Sequence, residues 1–218
     1  ASPRASARGP SATGPIPRSL PGHSAKGRTY QLDLKKAEEH FRKAWGGKVW
    51  EQGFRFTLAF NSGNTPRQTV CQIFKRNIES LNPKFKIDVR AVEWPTFLDA
   101  YKGSKLPVFV MGWNADFPDP HNFAFPLLHS KGDFAGTQKF KYPEWDLLVD
   151  EANALTDMAK RKLIYAKLQD LVFEEVPQLY IMDKALFRTQ RDSVKGWVYN
   201  PIFPDSPYGA YYYPIWKE

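Results

Sequence analysis

The sequence predicts an α/β fold with an open, mostly parallel sheet flanked by helices. Three observations predict it. Phe54–Phe60 and Phe85–Ala91 alternate apolar with polar or small residues at the period of a strand, and an amphipathic run, Val70–Leu81, lies between them. Pro107–Trp113 is apolar throughout, the pattern of a strand covered on both faces. The connections are short, and strand–helix–strand alternation of this kind builds a parallel sheet through helical crossovers.

The elements follow in order. Residues 1–29 are rich in Ser, Ala, Gly, Pro and Arg, show no hydrophobic period, and are expected to form a disordered or extended arm. They hold no apolar stretch of the kind a secretory signal peptide carries. Asp33 has the chemistry of an N-cap, and Leu34, Ala37, Phe41 and Ala44 then share one helical face until Gly46-Gly47. After the strand Phe54–Phe60 comes the polar loop Asn61–Pro66, then a helix with the stripe Val70, Ile73, Phe74, Ile78 and Leu81, stopped by Asn82-Pro83. A short helix over 95–102 presents Trp94, Phe97, Leu98 and Tyr101. Pro143 opens a further helix carrying Trp145, Leu148, Val149, Ala152 and Leu155. Asp157 caps the next, whose stripe is Ile164, Leu168, Leu171 and Val172. Gln178–Thr189 is expected to be a strand. Residues 194–218 are crowded with Pro, Gly and aromatics and need another surface to bury against. The expected organisation is an arm over 1–29, an α/β ligand-binding lobe over 30–193, and an aromatic C-terminal segment over 194–218.

Composition narrows the function. With 218 residues the chain can bury one substantial core, and no run of 18 apolar residues is present to span a membrane as a helix. The net charge of +8 points towards nucleic acid until its distribution is considered. Five of the 31 basic residues and none of the 23 acids lie in residues 1–29, so the remainder is close to neutral and lacks the footprint of a nucleic-acid binder. The single cysteine, Cys71, sits in an apolar helical run and reads as a buried small hydrophobe.

Ligands of an open parallel sheet bind beyond the carboxyl ends of its strands, which selects Asn61–Arg67, Glu93–Pro95 and Gly112–Pro120. In the last segment Trp113 offers an apolar wall, Asn114 a donor and acceptor, and Asp116 a partner for a ligand ammonium. Asp119, between two prolines, reads as a turn cap. The Asn61–Arg67 loop opens a helix, so Asn64 and Arg67 are placed to offer donors to an anion, or simply to cap the helix. Two other classes stay open. Asp116, Asp119 and His121 could serve a metal-dependent hydrolase, although their spacing matches no metal signature. The chain could instead be an interaction module that self-associates through 194–218. No nucleophile elbow, P-loop, dinucleotide fingerprint or HExxH is present, and no cofactor is implied.

The order of marks along residues 12–218 resembles the C-terminal part of the extracytoplasmic solute-binding proteins of ABC importers, in the peptide/nickel class (family 5). The marks are Gly14-Pro15-Ile16-Pro17, Gly63-Asn64, Glu93-Trp94, the stretch Gly112-Trp113-Asn114-Ala115-Asp116-Phe117-Pro118-Asp119-Pro120-His121-Asn122-Phe123, Asp157…Arg161…Tyr165, and Val194-Lys195-Gly196. The resemblance implies one lobe of a type II periplasmic-binding-protein fold, an N-terminal lobe as partner, closure over a solute, and delivery to the membrane subunits of an importer outside the cytoplasm. It implies no catalysis. It gives Asp116 the α-ammonium of an oligopeptide and gives the strand edge Met111–Asn114, Gly112 included, the peptide backbone. Some members carry an Arg three residues before the Trp; here that position is Val110, which leaves sugars, nickel chelates and haem as other solutes.

Overall fold

The computed structural model describes residues 11–24, 28–183, 189–198 and 212–218. These fall into two units, Tyr30–Gly112 and a second made of 1–29 with Trp113–Glu218. The boundary between them, after Gly112, falls inside the span expected to form the ligand-binding lobe.

The first unit holds the sheet. Helix α1 (Leu34–Lys43) starts where the Asp33 side chain accepts the Lys36 N–H at 2.9 Å, as the sequence predicts. Trp45 and Gly46 then take left-handed conformations, and a five-residue helix α2 (Lys48–Gln52) leads to Gly53. Gly53 has φ +75°, and a β-carbon there would run into the Lys84 backbone. Strand β1 (Phe54–Asn61), helix α3 (Thr65–Glu79), strand β2 (Phe85–Val92), helix α4 (Trp94–Lys102) and strand β3 (Val108–Phe109) follow. All pairings are parallel, in the order β2-β1-β3, with Phe54 opposite Phe85 and Leu58 opposite Val108.

Alternation along β1 sends Leu58 and Phe60 to one face, where they meet Cys71 of α3 and Ile87 of β2, with Val108 and Val110 packed alongside. On the opposite face Phe97 and Tyr101 of α4 set their rings edge-on against Phe109. Cys71 is fully buried and its thiol is pushed up by burial, as expected of an inert core residue. The Pro107–Trp113 run is a much shorter strand than its apolar character predicts. It is covered on both faces but stands at the sheet's edge, so its strand residues Val108 and Phe109 are only half-buried. On the other rim, the outward backbone of Ile87 is occupied by α3: Glu79 accepts its N–H at 2.8 Å, and the Lys75 ammonium donates to its carbonyl while pairing with Glu79.

The second unit is helical: α5 (His121–Leu128), α6 (Asp133–Gln138), α7 (Pro143–Ala154) and α8 (Met158–Glu175), with a short antiparallel ribbon of β4 (Val194–Lys195) and β5 (Trp216–Lys217). Its core gathers Phe123, Leu128, Trp145, Val149, Tyr165, Leu168 and Val172. The expectation of a disordered or extended arm does not hold for 11–24. Ile16 is 1% exposed, and Gln169 of α8 donates to the Gly22 carbonyl and accepts the Ser24 N–H. A Gly-Pro-Ile-Pro sequence has no periodicity to detect, yet its prolines restrict the chain and one isoleucine anchors it. Residues 1–10 and 25–27 lie outside the described residues. The strand expected over 178–189 is absent across 178–183: among the described residues a single bridge joins Met182 to Ser11, the Ala12 N–H donates to the Ile181 carbonyl, and Leu179 and Ile181 stay exposed. Positions 184–188 of that expectation lie outside the described residues, as do 199–211 of the aromatic segment.

Candidate functional site

In the second unit the candidate residues sit on the segment leading into α5. Its two ends are held by different means. At one end Trp113, half-buried, donates its indole Nε1–H to the Asn122 carbonyl at 2.6 Å and to Asn122 Oδ1 at 3.2 Å, and meets the Phe134 ring edge-on. The Asp116 N–H donates to the same Oδ1 at 3.0 Å. At the other end Asp119 accepts two bonds from the Arg161 guanidinium, at 2.8 and 2.6 Å, and the His121 N–H at 2.8 Å. Arg161 donates again to the Tyr165 hydroxyl.

The electrostatics of the two carboxylates differ. Burial alone would raise the Asp119 carboxyl, but Arg161 and then the His121 N–H outweigh it and hold it below the ordinary carboxylate range. The same bonds raise the guanidinium of Arg161, whose side chain is only 9% exposed. Asp116 is exposed, and no side-chain hydrogen bond or ion pair reaches its carboxylate among the described residues. Asn114 is exposed as well. Asp119 was expected to cap a turn, and it does; its matched ion pair with Arg161 is additional.

In the first unit Asn64 caps α3, its Oδ1 accepting the Arg67 N–H at 3.1 Å. That use of its oxygen is the helix cap the sequence allowed. Arg67 is half-buried and donates to Asn61 Oδ1 at 2.7 Å, at the carboxyl end of β1. Burial pulls its guanidinium below the ordinary arginine value, and no carboxylate pairs with it among the described residues. Gly112 lies beside it: a β-carbon there would stand 3.4 Å from Arg67 Nη2. Met111 is half-buried and Gly112 exposed. The predicted residues thus form two groups, Asn64, Arg67, Met111 and Gly112 in one unit and Trp113, Asn114 and Asp116 in the other.

A metal site built from Asp116, Asp119 and His121 finds little support in this arrangement. Both Asp119 oxygens are engaged by Arg161, and no cluster of three His, Cys, Asp or Glu side chains is gathered among the described residues. Among the described residues the buried His121 Nδ1 has no partner, and burial lowers the ring's pKa.

Sequence reasoning missed Asn122 and Arg161 as organisers of this segment. A signal for Arg161 existed. Stepping back along α8 from Val172 and Leu168 lands on Tyr165 and Arg161, all four of them buried.

The chain matches the family model described as bacterial extracellular solute-binding proteins, family 5 middle, over residues 6–135. It is 25% identical to heme-binding protein A of Haemophilus influenzae over 93% of this chain and 37% of that protein. It is 27% identical to the dipeptide-binding protein of Escherichia coli over 89% of this chain and 36% of that protein. The crystal structure of a dipeptide-binding protein from Pseudoalteromonas in complex with Met-Leu superposes with a TM-score of 0.80 at 22% identity, covering 97% of this chain and 41% of that one. The chain therefore spans little more than a third of the length of these curated relatives.

Proposed function

The chain belongs to the bacterial extracellular solute-binding proteins, family 5, and from that membership we propose that it is the C-terminal part of a receptor for ABC-type import, taking up a solute with a free amino group, an oligopeptide above all. The receptor works by binding and closure outside the cytoplasm, against an N-terminal lobe beyond these residues, and hands its solute to the importer's membrane subunits without making or breaking bonds. Asp116 receives the ammonium, Trp113 and Asn114 line its approach, and Met111 and Gly112 offer backbone groups. Arg67, set by the Asn64 cap, serves an anionic group.

One observation carries the reading. Among the described residues Asp116 presents an unpaired carboxylate to solvent, from a segment whose other acid, Asp119, is already neutralised by Arg161. A single fixed negative charge suits one ammonium better than a divalent metal, which draws several anionic ligands together. Asp116→Ala in the full-length protein is expected to weaken calorimetric affinity for Ala-Ala by about 2–5 kcal/mol. Unchanged affinity would refute the assignment.

The exposed Tyr212, Tyr213 and Trp216 favour a second role, a contact surface for another copy of the chain. Sedimentation that stays monomeric over a hundredfold range of concentration, about 1–100 μM, removes it.

A further inference from the structure

We infer that Asn122 is the positioning residue that presets Asp116, acting through the backbone and never touching the solute. The inference rests on the reading of Asp116 as the ammonium acceptor. Asn122 stands in the first turn of α5 and is 7% exposed. Its amide oxygen accepts from the Asp116 N–H at 3.0 Å and from Trp113 Nε1–H at 3.2 Å, while its carbonyl accepts from the same indole at 2.6 Å. Both partners are donors only, so chemistry fixes which end of the amide faces them.

The grip has a particular consequence. It holds Asp116 by its N–H and leaves both carboxylate oxygens to the ligand. With Asp119 locked to Arg161 three residues further on, the backbone from Trp113 to Asp119 is held at both ends before any solute arrives. A loop ordered in advance spares the complex the entropy of ordering it on binding, and that difference appears as affinity.

The test uses the full-length protein and two variants. Asn122→Ala removes the acceptor; Asn122→Asp keeps it. Amide hydrogen exchange at Asp116 and the Trp113 indole N–H resonance report the brace directly. Ala-Ala and N-acetyl-Ala-Ala report ammonium recognition. In the wild type and N122D the Asp116 amide should be protected and the indole resonance shared. In N122A exchange should speed up by about tenfold or more, as expected for an exposed loop amide freed of its bond. Affinity for Ala-Ala should fall by about tenfold in N122A and be restored in N122D, with the acetylated peptide, weak throughout, unaffected. An unprotected Asp116 amide in the wild type would overturn the brace. Equal losses in N122A and N122D that track their melting temperatures would reduce Asn122 to a folding role. A wild type that binds both peptides alike sinks the Asp116 reading; a wild type that discriminates, with N122A discriminating to the same extent, sinks the role of Asn122 alone.

Discussion

Replacing Asp119 by Asn tests whether the far end of the candidate loop is held by charge. The wild-type pair makes two short bonds, 2.8 and 2.6 Å, to a guanidinium that is 9% exposed, and the carboxylate itself is 29% exposed. Asparagine keeps one acceptor and turns its NH2 towards a donor, leaving Arg161 buried without a counter-charge. Stranding one member of a buried pair costs about 3–5 kcal/mol, and water reaching Asp119 argues for the lower end, about 3 kcal/mol. Urea unfolding followed by tryptophan fluorescence should then show a midpoint lower by roughly 1 M or more. The pH dependence follows from the depressed carboxyl. Because its folded value lies below the ordinary aspartate value of 3.8, the stabilisation is complete above 3.8 and is lost as pH falls from there through the folded value. The gap between wild type and variant should be full at pH 7 and close in strong acid. A gap under about 1 kcal/mol at pH 7, the size of an exposed pair, or one that persists unchanged below 3.8, refutes the argument.

Two further outcomes are expected. Ile16→Ala should destabilise the protein by about 2–5 kcal/mol in thermal unfolding, because the side chain is 1% exposed, whereas an extended arm would show almost no effect. Trp45→Asn should stabilise it by up to about 1 kcal/mol, since Trp45 holds φ +49° while 84% exposed and asparagine tolerates the left-handed region far better.

The sheet and its three strands were legible because their residues alternate or run apolar and because Asn, Gly and Pro mark their ends. Helices α1, α3, α7 and α8 were legible by stripe and cap, Asp33 and Asp157 both accepting the N–H groups expected of them. Helices α5 and α6 were not. α5 buries six of its eight residues and contains Pro126, so it shows no polar face against which a period could be seen. The strand expected over Gln178–Thr189 does not form across 178–183 for the opposite reason: apolar residues invite a ladder, but a ladder needs a second strand, and among the described residues only Ser11 and Ala12 reach this segment's backbone. At the candidate site, residue types were readable and partnerships were not. Asp116 and Asp119 look alike in sequence, and only the return of α8 from 42 residues away, bringing Arg161, tells the paired acid from the one left unpaired among the described residues. Asn122 was legible as part of a motif, but nothing in the string of letters says which backbone its amide grips.

The clasp that Lys75 and Glu79 throw over Ile87 bears on how the chain behaves in company. A bare outer strand is a template on which a stranger's backbone can zip, the first step of many precipitates. By filling the middle of that rim with its own side chains, α3 makes the parallel sheet a ladder with one rail already taken. The peptide receptor we propose would gain from refusing extended chains at that rim.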